Sequence, residues 1–276
     1  EEQYRVFNED IVPSFQKQGI KLITYGDRSL EEHKWVKQFF DREVRPLLTP
    51  VGLDPAHPFP QVANKSLNFI VRLSGKDAFG RQNDIAIVKV PRSLPRVILL
   101  PTRISGKSIQ MVTLSSVIRA HLKDLFPDRV VGQFSQFRVT RDSDLLVDEE
   151  DAQNLRTALR HGLEHRQFGR PVRLEVSSGC SDYLADFLLS QFHLPKEALY
   201  RVAGPVNLVR LNQIIDLVDK PHFLFPPHQS CYPLQLSENE SIFSQVRKED
   251  VLIHQPFESF DAVIQMLEEA VDDPDV

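Results

Sequence analysis

The sequence predicts an α+β fold, a mostly antiparallel sheet with packed helices, and three observations lead there. Short apolar runs of strand length and β-branched content recur, among them SLNFIVRL (66–73) and DIAIVKV (84–90). Other stretches carry apolar residues at helical spacing, as in TLSSVIRAHLKDLF (113–126). The two kinds alternate irregularly along the chain, which favours α+β over a doubly wound parallel sheet.

The elements follow in order. Residues 1–18 read as the end of a helix, with Tyr4, Phe7, Ile11 and Phe15 on one face and Gly19 closing it. IKLITY (20–25) is a short extended piece, and Ser29 with Glu32 forms a capping box for a helix whose apolar face is Trp35, Phe39 and Phe40. The proline-rich LLTPVGLDPAHPFP (47–60) forbids regular helix, since proline lacks the N–H and fixes φ. SLNFIVRL, DIAIVKV and RVILLP (96–101) are then expected as neighbouring antiparallel strands.

Thr113 caps a helix that turns Leu114, Val117, Ile118, Leu122 and Leu125 inward. QFSQFRVTRDSDLLV (133–147) is a strand or hairpin, and 148–169 a helix with acids first, bases last and Gly169 as its stop. PVRLEVS (171–177) is a strand, SDYLADFLLSQF (181–192) a helix capped by Ser181 or Asp182, and 200–218 a mixed segment. HFLFPPHQSCYP (222–233) has no periodicity. Residues 250–271 read as a strand, a turn capped by Ser259 and a helix presenting Phe260, Val263, Ile264 and Leu267. A strand and helix running toward a further strand open a βαβ crossover, so the chain is expected to start inside one domain and stop inside another.

Composition narrows the function. At 276 residues, 41% hydrophobic and 26% charged, the chain can build its own core. Cys180 and Cys231 are too few for a disulfide framework and lack zinc-ligand spacing, so both are expected buried, in a reducing cytoplasmic protein. No apolar run reaches bilayer length. A net charge of −5 argues against a nucleic-acid partner while leaving room for a local basic groove.

Several motifs compete for a chemical role. HGLEH (161–165) matches an inverted zinc-protease pattern, His161 and His165 sharing a helix face with Glu164, and Glu238 or Glu240 as a third ligand. Arg160 and Arg166 flank those histidines and oppose a divalent cation, so the expected metal ligands are none, and stoichiometric zinc would be needed to revive a metalloprotease reading. RISGKSIQ (103–110) fails as a phosphate loop because Pro101 stands where glycine is required. SSGCSDYL (177–184) places small residues at a helix start, a position able to hold an anion but better explained by self-capping through Ser181 or Asp182. Arg138 and Arg141, in a basic-then-acidic hairpin, are candidates for phosphate contact or for ion pairing with nearby acids.

Six stretches taken together carry more information. LTPVGLDPAHPFPQVANKSLN (48–68), VKVPRSLPRVILLP (88–101), FRVTRDSDLLVDEEDA (137–152), FGRPVRLEV (168–176), LYRVAGPVNLVRL (199–211) and 246–276 resemble, in this order, the polyphosphate kinase family. That family moves the terminal phosphate of ATP reversibly to inorganic polyphosphate through a phosphohistidine, with magnesium. The resemblance implies the end of an N-terminal helical domain at 1–46, a head (middle) domain at 47–245, and the truncated start of a first phospholipase D-like catalytic domain at 246–276.

It also implies that the catalytic histidines lie beyond residue 276, so no catalytic residue is assigned, and the fragment is expected to be inactive, without bound cofactor, and to serve scaffolding and homodimerisation through the head domain. His254 and Phe257 are expected near the nucleotide and Arg138 and Arg141 near polyphosphate in the intact enzyme. The alternative is a non-catalytic module that docks a partner or polyanion.

Overall fold

The computed structural model describes residues 1–54, 58–76, 84–142, 169–236 and 240–274. The helix expected at 148–169, all but its last residue, lies outside these residues, as do the HGLEH motif, Glu238 and the final Val276. Chain contacts divide the protein into two compact units, Glu1–Asp219 and Lys220–Val276.

In the first unit the strands are β1 (Ile20–Leu22), β2 (Thr49–Gly52), β3 (Asn68–Ser74), β4 (Ile85–Lys89), β5 (Val97–Leu99), β6 (Ile109–Thr113), β7 (Val130–Arg141), β8 (Pro171–Ser177) and β9 (Leu199–Val202). Six of them form one sheet in the order β2-β4-β3-β7-β8-β9, antiparallel except for the parallel β8/β9 pair. Between β8 and β9 runs the Asp182–Gln191 helix, the crossover that a parallel pair requires. The α+β, mostly antiparallel expectation holds.

Both faces of this sheet are buried. Phe69, Val71, Ala86 and Val88 face a core shared with Val36, Phe40, Leu114 and Val117. Ile70, Ile87, Phe137 and Leu174 face a second core against Leu184 and Leu188. Strands covered on both sides read as continuous apolar runs rather than as alternation, which is why FIV and IAIV are unbroken.

RVILLP departs from expectation. β5 leaves the large sheet and pairs antiparallel with β6, which pairs parallel with β1. Pro91 and Pro95, without N–H donors, interrupt the chain after β4, and Val97, Ile20, Met111 and Ile214 make a small core of their own.

Local signals set the helix ends. Ser29 Oγ accepts from Glu32 N at 3.2 Å while Glu32 Oε2 accepts from Ser29 N at 2.6 Å, the reciprocal box that the sequence predicts. Thr113 Oγ1 accepts from Ser116 N, and Ser181 Oγ accepts from Leu184 N. The first helix runs through Glu2–Arg5, a π segment Val6–Ile11 and Val12–Lys17, and ends at Gly19 with φ +75°. Its docking is specific: Tyr4 Oη donates to the Pro205 carbonyl at 2.9 Å and Asn8 Nδ2 to the Ala203 carbonyl at 2.8 Å. Gly204 lets the ring approach, since a Cβ there would stand 3.1 Å from Tyr4.

The second unit has a short helix, Ile242–Val246, and a longer one, Asp261–Asp272, around Leu236, Ile242 and Ala262. Glu269 joins them, accepting from Ser241 Oγ at 2.8 Å and from Ile242 N, so its carboxyl is held below the ordinary range by the Ser241 hydrogen bond first. Two expectations are corrected in this unit. Residues 251–254 alternate in burial as a strand would, yet no strand pairs with them among the described residues; Leu252 N and His254 N instead donate to Gln235 Oε1 and Glu258 Oε2. The helix buries Ala262 and packs Met266, while Phe260, Ile264 and Leu267 stay exposed, because the unit is too small to cover a second side.

Among the described residues no helix is long and apolar enough to cross a membrane. Phe69 is fully buried at the centre of the sheet, so Phe69→Ala is expected to lower unfolding free energy by about 3–5 kcal/mol. Ser29→Ala removes one half of the capping box and is expected to cost about 1 kcal/mol. Urea titrations followed by fluorescence check both, and equal losses would contradict this division between core and cap.

Candidate functional site

β7 and β8 place Arg138 opposite Glu175 in register, and the two side chains meet as an ion pair. Glu175 is 4% exposed and accepts from Arg173 Nη2 at 3.0 Å through its other oxygen. The Arg173 guanidinium carbon lies 3.9 Å from the Tyr200 ring centroid. Arg138 Nη1 donates to Asn207 Oδ1 at 2.8 Å, and Asn207 holds a left-handed backbone (φ 72°) that asparagine tolerates better than most residues. Two guanidinium groups thus hold one buried carboxylate, which supplies the partner a buried charge requires.

Arg141 ends β7 differently. Its Nε donates to the Val62 carbonyl at 3.0 Å and its Nη1 to the Gly169 carbonyl at 2.9 Å, while its backbone N donates to Asn64 Oδ1. Burial moves its pKa down. Arg138 and Arg141 therefore both spend donors on their own chain, one on a carboxylate and one on carbonyls.

Tyr4, above this network, is pushed up to about 12, by burial first and by the Glu175 charge second. A phenolate there would sit in apolar surroundings beside a carboxylate.

The second unit gathers the other sequence candidates. The His254 ring lies 5.1 Å from the Phe257 ring, and His228 meets Phe257 edge-on at 5.7 Å. His228 Nε2 is 3.2 Å from the Pro256 carbonyl oxygen. Phe257 is 55% exposed, so the cluster presents aromatic surface to solvent. Cys231, expected buried, is exposed, because it lies on the outer bridge to Glu258; Cys180 is buried as expected.

A cleft of about 750 Å³ opens in the first unit between the N-terminal helix, the start of the Leu114–Ala120 helix, β7 and the 177–181 loop. Its wall mixes apolar residues, among them Phe7, Ile23 and Phe134, with hydroxyls and amides such as Asn8, Ser116, Gln136 and Ser178, and Arg119 is the charged member. Behind it Arg28, 7% exposed, donates to Ser116 Oγ at 2.6 Å while its Nε and Nη1 have no partner among the described residues. SSGCSDYL flagged one edge of this cleft; the rest comes from residues far apart in sequence, for which no local signal exists. Among the described residues no three His, Cys, Asp or Glu side chains converge as metal ligands.

The family model described as "Polyphosphate kinase middle domain" matches residues 31–214. The chain belongs to the polyphosphate kinase family. A second model, "Polyphosphate kinase C-terminal domain 1", matches residues 241–276. The polyphosphate kinase of Neisseria meningitidis serogroup C is 50% identical over 274 residues, covering 99% of this chain and 40% of that protein. The polyphosphate kinase of Pseudomonas aeruginosa is 47% identical over the same span, again 40% of its length. The crystal structure of the polyphosphate kinase from Porphyromonas gingivalis superposes with a TM-score of 0.73 at 25% identity, over 98% of this chain and 38% of that one. The chain therefore spans about 40% of the length of the curated polyphosphate kinases it matches.

Replacing Glu175 by Gln leaves Arg138 without its counter-charge and is expected to cost about 3–5 kcal/mol in urea unfolding. Tyr4 sets an alkaline limit. The unfolded phenol ionises near 10 and the folded one near 12, so the unfolded state binds fewer protons in that window and stability falls as pH rises through it. Tyr4→Phe is expected to flatten that decline, read as urea midpoints between about pH 9 and 11; an unchanged slope would place the titrating group elsewhere.

Proposed function

We propose that this chain is the middle part of an enzyme that reversibly transfers the terminal phosphate of ATP to inorganic polyphosphate through a phosphohistidine. The observation that carries the reading is the order of the two family matches, middle domain and then C-terminal domain 1, on a chain 50% identical to a curated polyphosphate kinase. The phosphate-carrying histidine is assigned to polypeptide outside these 276 residues. Residues 1–46, 47–245 and 246–276 are proposed as helical end, head domain and opening of the catalytic domain.

Within the whole enzyme the first unit acts as scaffold. Its sheet is covered on both faces, and Arg138 and Arg173 are both paired internally with Glu175, which suits a rigid support more than a reaction centre. Magnesium and ATP are proposed for the whole enzyme, where the ion would offset phosphate charge. Self-association is assigned to the head domain. The exposed His254 and Phe257 rings are proposed to lie near the nucleotide, where ring faces can stack on a base.

Incubated with ATP and magnesium, the purified chain is expected to form no polymer, whereas the product of the complete gene forms it; synthesis by the chain alone would overturn the reading. In the complete enzyme His254→Ala is expected to raise KM for ATP several-fold, and an unchanged KM would remove the ring cluster from the nucleotide site. Sedimentation of the chain at high concentration is expected to reveal a dimer, and a monomer throughout would remove the association role.

A further inference from the structure

A half-buried arginine and a buried one are treated in opposite ways. Arg138 has a carboxylate; Arg96, 8% exposed, has none, and its Nη1 is buried without a hydrogen-bond partner among the described residues. Arg96 lines a side pocket of about 20 Å³ together with Arg210, Asn207, Thr113 and Ser115. Thr113, Ser115 and Pro205 also line the large cleft, so the pocket adjoins it. Among the described residues neither wall carries an Asp or Glu. Burial, with Arg210 and Arg92 nearby, moves Arg96 down to about 10.

A guanidinium keeps its charge at neutral pH even so, and an uncompensated buried cation is costly. Arg92 offers no relief, since it is a cation that donates to the Asn64 carbonyl at 2.7 Å. Among the described residues no carboxylate supplies that counter-charge, which leaves the pocket open to an external anion. The hydroxyls suit an oxyanion: Thr113 Oγ1 accepts from Ser115 Oγ at 3.1 Å and from Ser116 N at 3.2 Å, leaving its own hydrogen to donate. The pocket admits a single oxygen-sized group, while the adjoining cleft has room for a longer molecule. Arg119 lines that cleft, and the unsatisfied Arg28 stands behind its wall.

We propose that the Arg96–Arg210 pocket and its adjoining cleft form an oxyanion site that takes a phosphoryl oxygen of inorganic polyphosphate, with further phosphates lying along the cleft toward Arg119. The choice of polyphosphate rests on the enzymatic function proposed for the whole protein; the need for an oxyanion rests on Arg96 alone. The site holds the polymer by charge and hydrogen bonds and makes or breaks no covalent bond.

Isothermal titration of the purified 276-residue chain with sodium polyphosphate, with pyrophosphate and with ATP tests it. Polyphosphate is expected to bind saturably and more tightly than ATP, weakening as salt rises. Arg210→Ala, at an exposed position that leaves the core intact, is expected to weaken binding about tenfold, and Arg96→Gln by tenfold or more. Lys248→Ala, in the other unit, is expected to bind like the parent chain. No saturable binding, or equal affinity in Arg210→Ala and the parent chain, overturns the site; tighter binding of ATP with the same sensitivity to Arg210 overturns the choice of polymer. Polymer synthesis by the complete gene product is measured separately, so its failure removes the enzymatic reading while this binding result stands, and the reverse holds.

Discussion

Burial of both faces of the six-stranded sheet is the constraint on which the first unit depends. β3 and β4 carry Phe69, Val71, Ala86 and Val88 on one side and Ile70, Ile85 and Ile87 on the other. Neither side tolerates water, so two layers must cover them. The helices bearing Val36, Phe40, Val117 and Ile118 close one side, and the Asp182–Gln191 helix closes the other. Because the covering elements come from distant parts of the chain, the sheet also fixes where the loops between them gather.

Charge follows from that packing. Where β7 and β8 run side by side, Arg138 and Glu175 fall opposite one another and compensate inside the protein. Where the 90–96 loop meets the 205–211 segment, buried Arg96 lines a pocket beside exposed Arg210, and among the described residues no acid lines it. One fold thus contains a closed electrostatic site and an open one. The closed site ties β7 to β8, and the open one is where an external anion has something to gain.

Local features were legible to within one or two residues. The Ser29–Glu32 box, the Thr113 and Ser181 caps, the Gly19 stop and the strands at 68–74, 85–89 and 171–177 all depend on contacts within a few positions. β5 was harder, since VIL pairs as well with one sheet as with another and only its neighbours choose. The helix at 261–272 shows the same limit: its apolar residues mark a face, but which side is covered depends on what the unit has available. Of the site residues, Arg138 and Arg141 drew notice from charge pattern alone, while Glu175, Asn207 and Arg96 gave no signal.

By itself the sequence determined the fold class, many of the elements with their caps, and the family, because each is written in short spans or in ordered blocks of residues. Tertiary structure decided which sheet β5 joined, which arginine found a carboxylate, and where a cleft opened. Arg138 reaches Glu175 across 37 positions and Tyr4 reaches Pro205 across 201. Charge compensation at such separations is a property of space rather than of chain order, and only the packed sheet brings those groups within hydrogen-bonding distance.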